Sequence, residues 1–130
     1  MAAFDRQAAC DNRLQLMEWL LARGEGRILF SGGDLQGCAM VRRFGLGHQI
    51  GPAVARHEDH ALALVKALSH DLYGKFQRLD VVRDSRLDDW ALQQGVLHVA
   101  SVTRMVLGPA VGSRPADGPR LHALASQALG

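Results

Sequence analysis

One carboxylate stands inside an otherwise apolar run. Phe76–Val82 reads FQRLDVV, and Asp80 alternates with Leu79 and Val81, so it points to the other face of a strand. A carboxylate there can serve as a general base if burial raises its pKa, or as half of a structural ion pair. Its candidate partners are Arg104 and Arg78. Arg104 sits in VTRMV, alternating with Val102 and Val106, where a guanidinium needs a partner. It can orient Asp80 or bind an acidic group of a substrate. A second cluster is Arg56-His57-Glu58-Asp59-His60, at the start of the clearest helix in the chain. Helix starts carry free N–H groups that favour anions. Arg56, His57 and His60 add positive charge there, and Glu58 and Asp59 oppose it. His57 and His60 are three apart, but no third ligand follows at a fixed offset, so no metal site is expected. Tyr73 reads as a helix-end residue packing its ring, and Ser85 as a helix cap.

Several elements must position these groups. Residues 12–23 place Leu14, Met17 and Leu21 on one stripe, widened by Leu16 and Leu20, and predict an amphipathic helix stopped by Gly24. Arg27–Ser31 and Cys38–Arg43 predict two strands joined by a turn at Gly32-Gly33-Asp34. After the turn Phe44–Gly47, the run His48–Ala55 suits a strand interrupted at Gly51-Pro52, where a bulge or a separation of strands is expected. Residues 58–72 carry Ala61, Val65, Leu68 and Leu72 on one face with Leu64 beside them, a helix ended by Gly74. Phe76–Val82 is a buried strand. Ser85 caps a helix that turns Leu87, Trp90 and Ala91 inward and stops at Gly95. Val96–Leu107 predicts one or two last strands. The proline- and glycine-rich stretch Pro109–Pro119 reads as a linker, and Arg120–Leu129 as a short helix striped by Leu121, Leu124 and Ala128. Three meandering strands, a helical crossover and a further strand predict an α+β domain over residues 1–108, a mixed sheet with helices on both faces, and a tail over 109–130.

Composition bounds the function. The chain has 130 residues, 48% hydrophobic and 22% charged, which suits one globular domain without a staple. Cys10 and Cys38 have no metal-like spacing and read as small core residues of a reducing compartment. A formal charge of +2 and 5% aromatics argue against a dedicated nucleic-acid binder. No apolar run reaches the roughly 20 residues that span a bilayer, so no membrane role is expected and the cytoplasm is the default.

The order of elements and a set of words resemble the GNAT acetyltransferase superfamily, specifically the domain that forms the C-terminal half of two-domain members. The resemblance runs from about Phe4 to Gly108 and rests on FDR at Phe4–Arg6, GPAVA at Gly51–Ala55, LDV at Leu79–Val81, and TRM at Thr103–Met105 followed by Gly108. The helix opening His60-Ala61-Leu62 fits the same pattern. The resemblance implies that His48–Ala55 splays from Phe76–Val82 and that the gap admits the pantetheine arm of acetyl-CoA. The pyrophosphate would then sit on the next helix start. The implied cofactor residues are Ala53, Val54, Ala55, Arg56, His57, His60 and Ala61, with backbone N–H groups of Ala53–Ala55 serving the oxyanion. The candidate catalytic residues within this frame are Asp80 and Arg104, on the reading of their strands given above. Arg42–Gly47, RRFGLG, matches the family's phosphate loop literally but precedes no helical period, and reads as a hairpin turn. In the expected place Arg56–His60 has no glycine, and the helix after the splayed pair has no tyrosine to protonate a leaving thiolate.

The function expected is acyl-CoA-dependent N-acetyl transfer, with acetyl-CoA as cosubstrate, to an unidentified small amine. The alternative is a catalytically silent GNAT-like module for dimerisation or ligand binding. A homodimer is expected, through the last strands or the tail helix.

Overall fold

The structure is a computed structural model that describes residues 1–9, 13–103, 105, 108 and 116–127. In chain order it contains α1 (Ala2–Ala9), α2 (Leu14–Leu21), β1 (Gly24–Ser31), β2 (Asp34–Phe44), β3 (Gly47–Ala55), α3 (Glu58–Asp71), β4 (Gln77–Leu79), α4 (Arg86–Gln93) and β5 (Arg120–Ala123).

The first hairpin closes where both Gly32 and Gly33 adopt positive φ, 61° and 86°. That geometry matches the right-handed twist of the flanking strands, and glycine reaches it without a Cβ penalty. β1, β2 and β3 form an antiparallel meander, and β3 pairs with β4 in parallel, as a helical crossover requires. The result is an α+β fold built on a mixed sheet. RRFGLG forms the turn between β2 and β3 rather than a helix start.

Strand alternation sorts the core into two faces. Ala39, Val41, Ile50 and Ala53 face α3 and α4. Cys38, Met40 and Val54 face α1 and α2. Helix α3 turns Ala61, Leu64, Val65 and Leu68 onto the sheet, the stripe its periodicity predicts. Each large side chain buried there contributes about 1.5–3 kcal/mol relative to exposure. Ser85 caps α4: its hydroxyl accepts the Asp88 N–H at 3.2 Å and donates to the Val82 carbonyl at 2.6 Å. Cys38 is buried, and that burial pushes its thiol up to about 11, an inert core sulfur. Cys10 lies outside the described residues. Among the described residues no helix is long and apolar enough to cross a membrane.

Three elements differ from the sequence expectation. Ala2–Ala9 forms a helix of its own, with Phe4 and Ala8 packed beneath Val54 and Asp5 held by Arg13 at 2.5 Å. Val96–Leu107, expected as strands, contains no strand among its described residues, and Leu97 and Val99 are exposed. β4 offers only a three-residue edge, and just beyond it the Asp80 carbonyl and the Val82 N–H are taken by the tail. Arg120–Leu129, expected as a helix, instead supplies β5. About ten residues make a marginal isolated helix, whereas the open backbone of β3 offers a strand immediate hydrogen-bond partners. The tail helix expected to dock on a second copy is thereby replaced by a strand within the sheet.

Candidate functional site

β3 and β4 are paired only at their beginnings, His48↔Gln77, Gln49↔Arg78 and Ile50↔Leu79. At the next residue the ladder opens. Gly51 adopts φ 143°, and the Gly51-Pro52 bond is cis. Proline has no N–H to donate, so a ladder cannot continue normally through this point. β3 runs on through Ala53, Val54 and Ala55 and delivers the chain to α3. The splay expected at Gly51-Pro52 is therefore where the strands part.

The gap is one extended chain wide, because β5 fills it. Ala53, Val54 and Ala55 face Ala123, Leu121 and Arg120 in antiparallel register, and Val81 bridges to Ala123 from the opposite wall. The Leu124 N–H donates to the Asp80 carbonyl at 2.8 Å, and the Val82 N–H donates to the His122 carbonyl at 3.3 Å. A Cβ on Gly51 would stand 2.0 Å from the Leu124 carbonyl oxygen, so only glycine admits the tail this closely. His122 is buried, and its Nε2 lies 3.2 Å from the Ala55 carbonyl. A carbonyl only accepts, so Nε2 carries the proton. Burial lowers the His122 pKa below its ordinary value.

At the mouth of the gap α3 begins. His57 is its N-cap, extended at φ −129° and ψ 151°, with no side-chain cap bond. The His60 and Ala61 N–H groups donate to the His57 carbonyl. The His57 and His60 rings meet edge to face at 5.2 Å, and His60 Nδ1 is buried without a partner. Of the two acids in the first turn, Asp59 is paired with Arg86 of α4. Arg56 is exposed, reaches the carbonyls of Leu35 and Asp117 at 3.4 Å each, and lies 5.5 Å from the Phe4 ring. The seven expected cofactor residues thus form one continuous wall, from the open half of β3 into the first turn of α3.

Asp80 lies at the inner end of the gap, and its side chain is 9% exposed. Among the described residues Arg78 is an ion-pair partner of Asp80: Nε donates to Oδ1 at 3.2 Å and Nη2 to Oδ2 at 3.3 Å. Arg104 lies outside the described residues. Gln49 donates to Asp80 Oδ2 at 3.4 Å, is itself fully buried, and leaves its Oε1 without a partner. Arg42, Gln49 and Arg78 are successive cross-strand neighbours and form a polar row across β2, β3 and β4. Arg42 donates to the Ala125 carbonyl at 3.1 Å and lies 5.0 Å from the Phe44 ring. Sequence reasoning missed Gln49 and Arg42. The available signal was parity: Gln49 precedes Ile50, so it must share the face of Asp80 once the two strands pair.

Tyr73 is 90% exposed beyond the far end of α3, about 20 Å from its first turn at the helical rise. The Ser85 hydroxyl is used in capping.

No curated protein and no solved structure matches the chain. Residues 1–117 match the family described as an acetyltransferase (GNAT) domain. With that match over most of its length, and a mixed sheet that parts before a helix start, the chain belongs to the GNAT acetyltransferase superfamily.

Proposed function

We propose that the protein is an N-acyltransferase that takes acetyl-CoA as cosubstrate and a small amine as acceptor. GNAT domains generally use acyl-CoA, and the observation that carries the reading here is the parting of β3 from β4 at Gly51 in front of α3. A gap one extended chain wide suits a pantetheine arm, itself an extended amide chain. When bound, acetyl-CoA supplies an activated acyl group and a thiolate leaving group. The open backbone of Ala53, Val54 and Ala55 would hold the arm and direct N–H groups at the thioester oxygen. The first-turn N–H groups of α3, with Arg56, His57 and His60, would hold the phosphates. Ala61 closes that first turn, with its methyl group packed on the sheet. Asp80, oriented by Arg78 and Gln49, would take the proton of the attacking amine. Arg104 would bind near Asp80 or an acidic group of the acceptor.

The test is release of free thiol from acetyl-CoA with a panel of small amines, alongside thermal melts with millimolar acetyl-CoA. Binding should raise the melting temperature by mass action, and Asp80→Asn should lower kcat with little change in KM. Absence of both thiol release and a melting shift sinks the reading. The silent-module alternative is favoured by one specific observation: Glu58 and Asp59 occupy the first turn of α3, where a phosphate would sit. A melting shift without turnover on any amine would select it.

A further inference from the structure

The tail strand occupies the slot that the proposed cofactor needs. We propose that residues 118–125 are a displaceable occupant of the β3–β4 gap, so that acetyl-CoA and the chain's own C-terminal strand compete for one seat. This inference rests on the acyl-CoA reading above.

Three observations carry it. First, the tail uses both walls of the gap. It pairs with Ala53–Ala55 on one side and with the backbone of Asp80–Val82 on the other. Those are the groups an extended amide arm would pair with, and each can serve one partner at a time. Second, the tail also engages the side chains around the slot. Arg56 reaches the Asp117 carbonyl, and Arg42 reaches the Ala125 carbonyl beside the polar row that leads to Asp80. Third, the tail is lightly anchored. Its fully buried apolar side chains are the compact ones of Pro119, Ala123 and Ala125, while Leu121 and Leu124 are only half-buried. The long side chains of the core, such as Met17, Leu20, Met40, Ile50 and Val65, come from elsewhere. Departure of the tail therefore leaves the main core assembled. What it gives up is mostly backbone pairing, which an arriving amide chain restores. The seat thus fits an extended peptide strand as well as a cofactor arm, the geometry of strand addition.

The arithmetic is that of a fractionally populated competent state. A tail docked in nine molecules of ten weakens the apparent cofactor affinity about tenfold.

Two variants of the full chain test this. Ala123→Asp places a charge at a fully buried position of the tail and ejects it. Titration with acetyl-CoA should give a Kd at least about tenfold lower than that of the unmodified protein. Amide exchange at Ala53, Ala55 and Val82 should accelerate in the same variant before ligand is added. In the second variant Ala53→Cys and Ala123→Cys join register partners whose side chains share one core cluster, with Cys10→Ser and Cys38→Ala removing competing thiols. The oxidised form should bind acetyl-CoA at least tenfold more weakly than the same sample after reduction. Equal affinity of Ala123→Asp and the unmodified protein, with native circular dichroism and fast exchange at Ala53, overturns the competition and leaves the cofactor reading intact. If Ala123→Asp does not fold, the cysteine pair decides, and equal binding by its two redox forms overturns the proposal. No acetyl-CoA binding by any form, with the tail released by exchange, overturns the cofactor reading and the competition together.

Discussion

The two halves of β3 obey different rules although only one dipeptide separates them. From His48 to Ile50 the strand is laddered on both sides, to β2 and to β4, and presents Gln49 and Ile50, both fully buried. From Ala53 to Ala55 it keeps β2, loses β4, and presents small side chains. The first half is a packed core strand. The second is a strand whose backbone is the resource, since small residues let another chain approach. Gly51-Pro52 makes the switch, because a strand cannot ladder through a residue without an N–H and glycine tolerates φ 143°. A polar row and a cleft can then share one strand without either disrupting the other.

The largest expected effect tests the closed half. Ile50→Ala removes a side chain 2% exposed in the core beneath α3 and should cost about 2–5 kcal/mol by urea denaturation. Ala53→Gly, in the open half, should cost only about 0.5–1 kcal/mol, the entropic penalty of glycine in a strand. Equal costs would mean that the two halves carry equal structural weight and would erase the contrast.

The junction comes next. Gly51→Ala forces an L side chain to φ 143° and sets a Cβ against the Leu124 carbonyl. The backbone strain alone is worth about 1–3 kcal/mol. In the Ala123→Asp background, with the tail out, the steric part should vanish and the loss should shrink. An undiminished loss would show that the tail does not press on Gly51.

Much of this was legible in the sequence, for identifiable reasons. Ala61, Leu64, Val65 and Leu68 recur at the helical period, and α3 follows them. Ser85 and Asp88 spell a cap, and the cap forms. Gly51-Pro52 marked the parting of strands because its chemistry is local. The polar row was not legible, because it depends on register: Arg42, Gln49 and Arg78 become neighbours only after three strands align. The tail was misread for the same physical cause. Leu121, Leu124 and Ala128 satisfy a helical stripe, but a strand long enough to fill a gap elsewhere in the fold is decided by that gap. Sequence periodicity records faces and leaves open which unpaired backbone a segment will meet.

A smaller effect probes the polar row. Arg78 and Asp80 should couple in a double-mutant cycle of Arg78→Leu and Asp80→Asn by about 0.5–1.5 kcal/mol. The Arg78 side chain is 36% exposed and that of Asp80 9%, so solvent screens part of the attraction. Strict additivity would show that the ion pair holds nothing in place, and would weaken the assignment of Asp80 as an oriented base.

The smallest effect lies in the open half and depends on pH. His122 is the buried polar side chain of the tail, and its surroundings come from three elements. On β3 the Ala55 carbonyl accepts its Nε2–H, on α3 Glu58 favours the charged ring, and on β5 Arg120 opposes it. Burial outweighs the favourable groups and lowers the docked pKa. A released tail would titrate near the ordinary value of about 6.5. Above that pH both states are neutral at His122 and docking keeps its full strength. As pH falls through it, the released tail binds a proton that the docked tail resists, so docking weakens down to the lower, docked pKa. The population of docked tail, read from the slow-exchange amide signals of Leu124 and Val82, should fall between pH 7.5 and pH 5.5. His122→Gln keeps a donor for the Ala55 carbonyl and cannot titrate, so its docked population should be flat over the same range. Full pH dependence retained in the variant would break the link between the tail and His122.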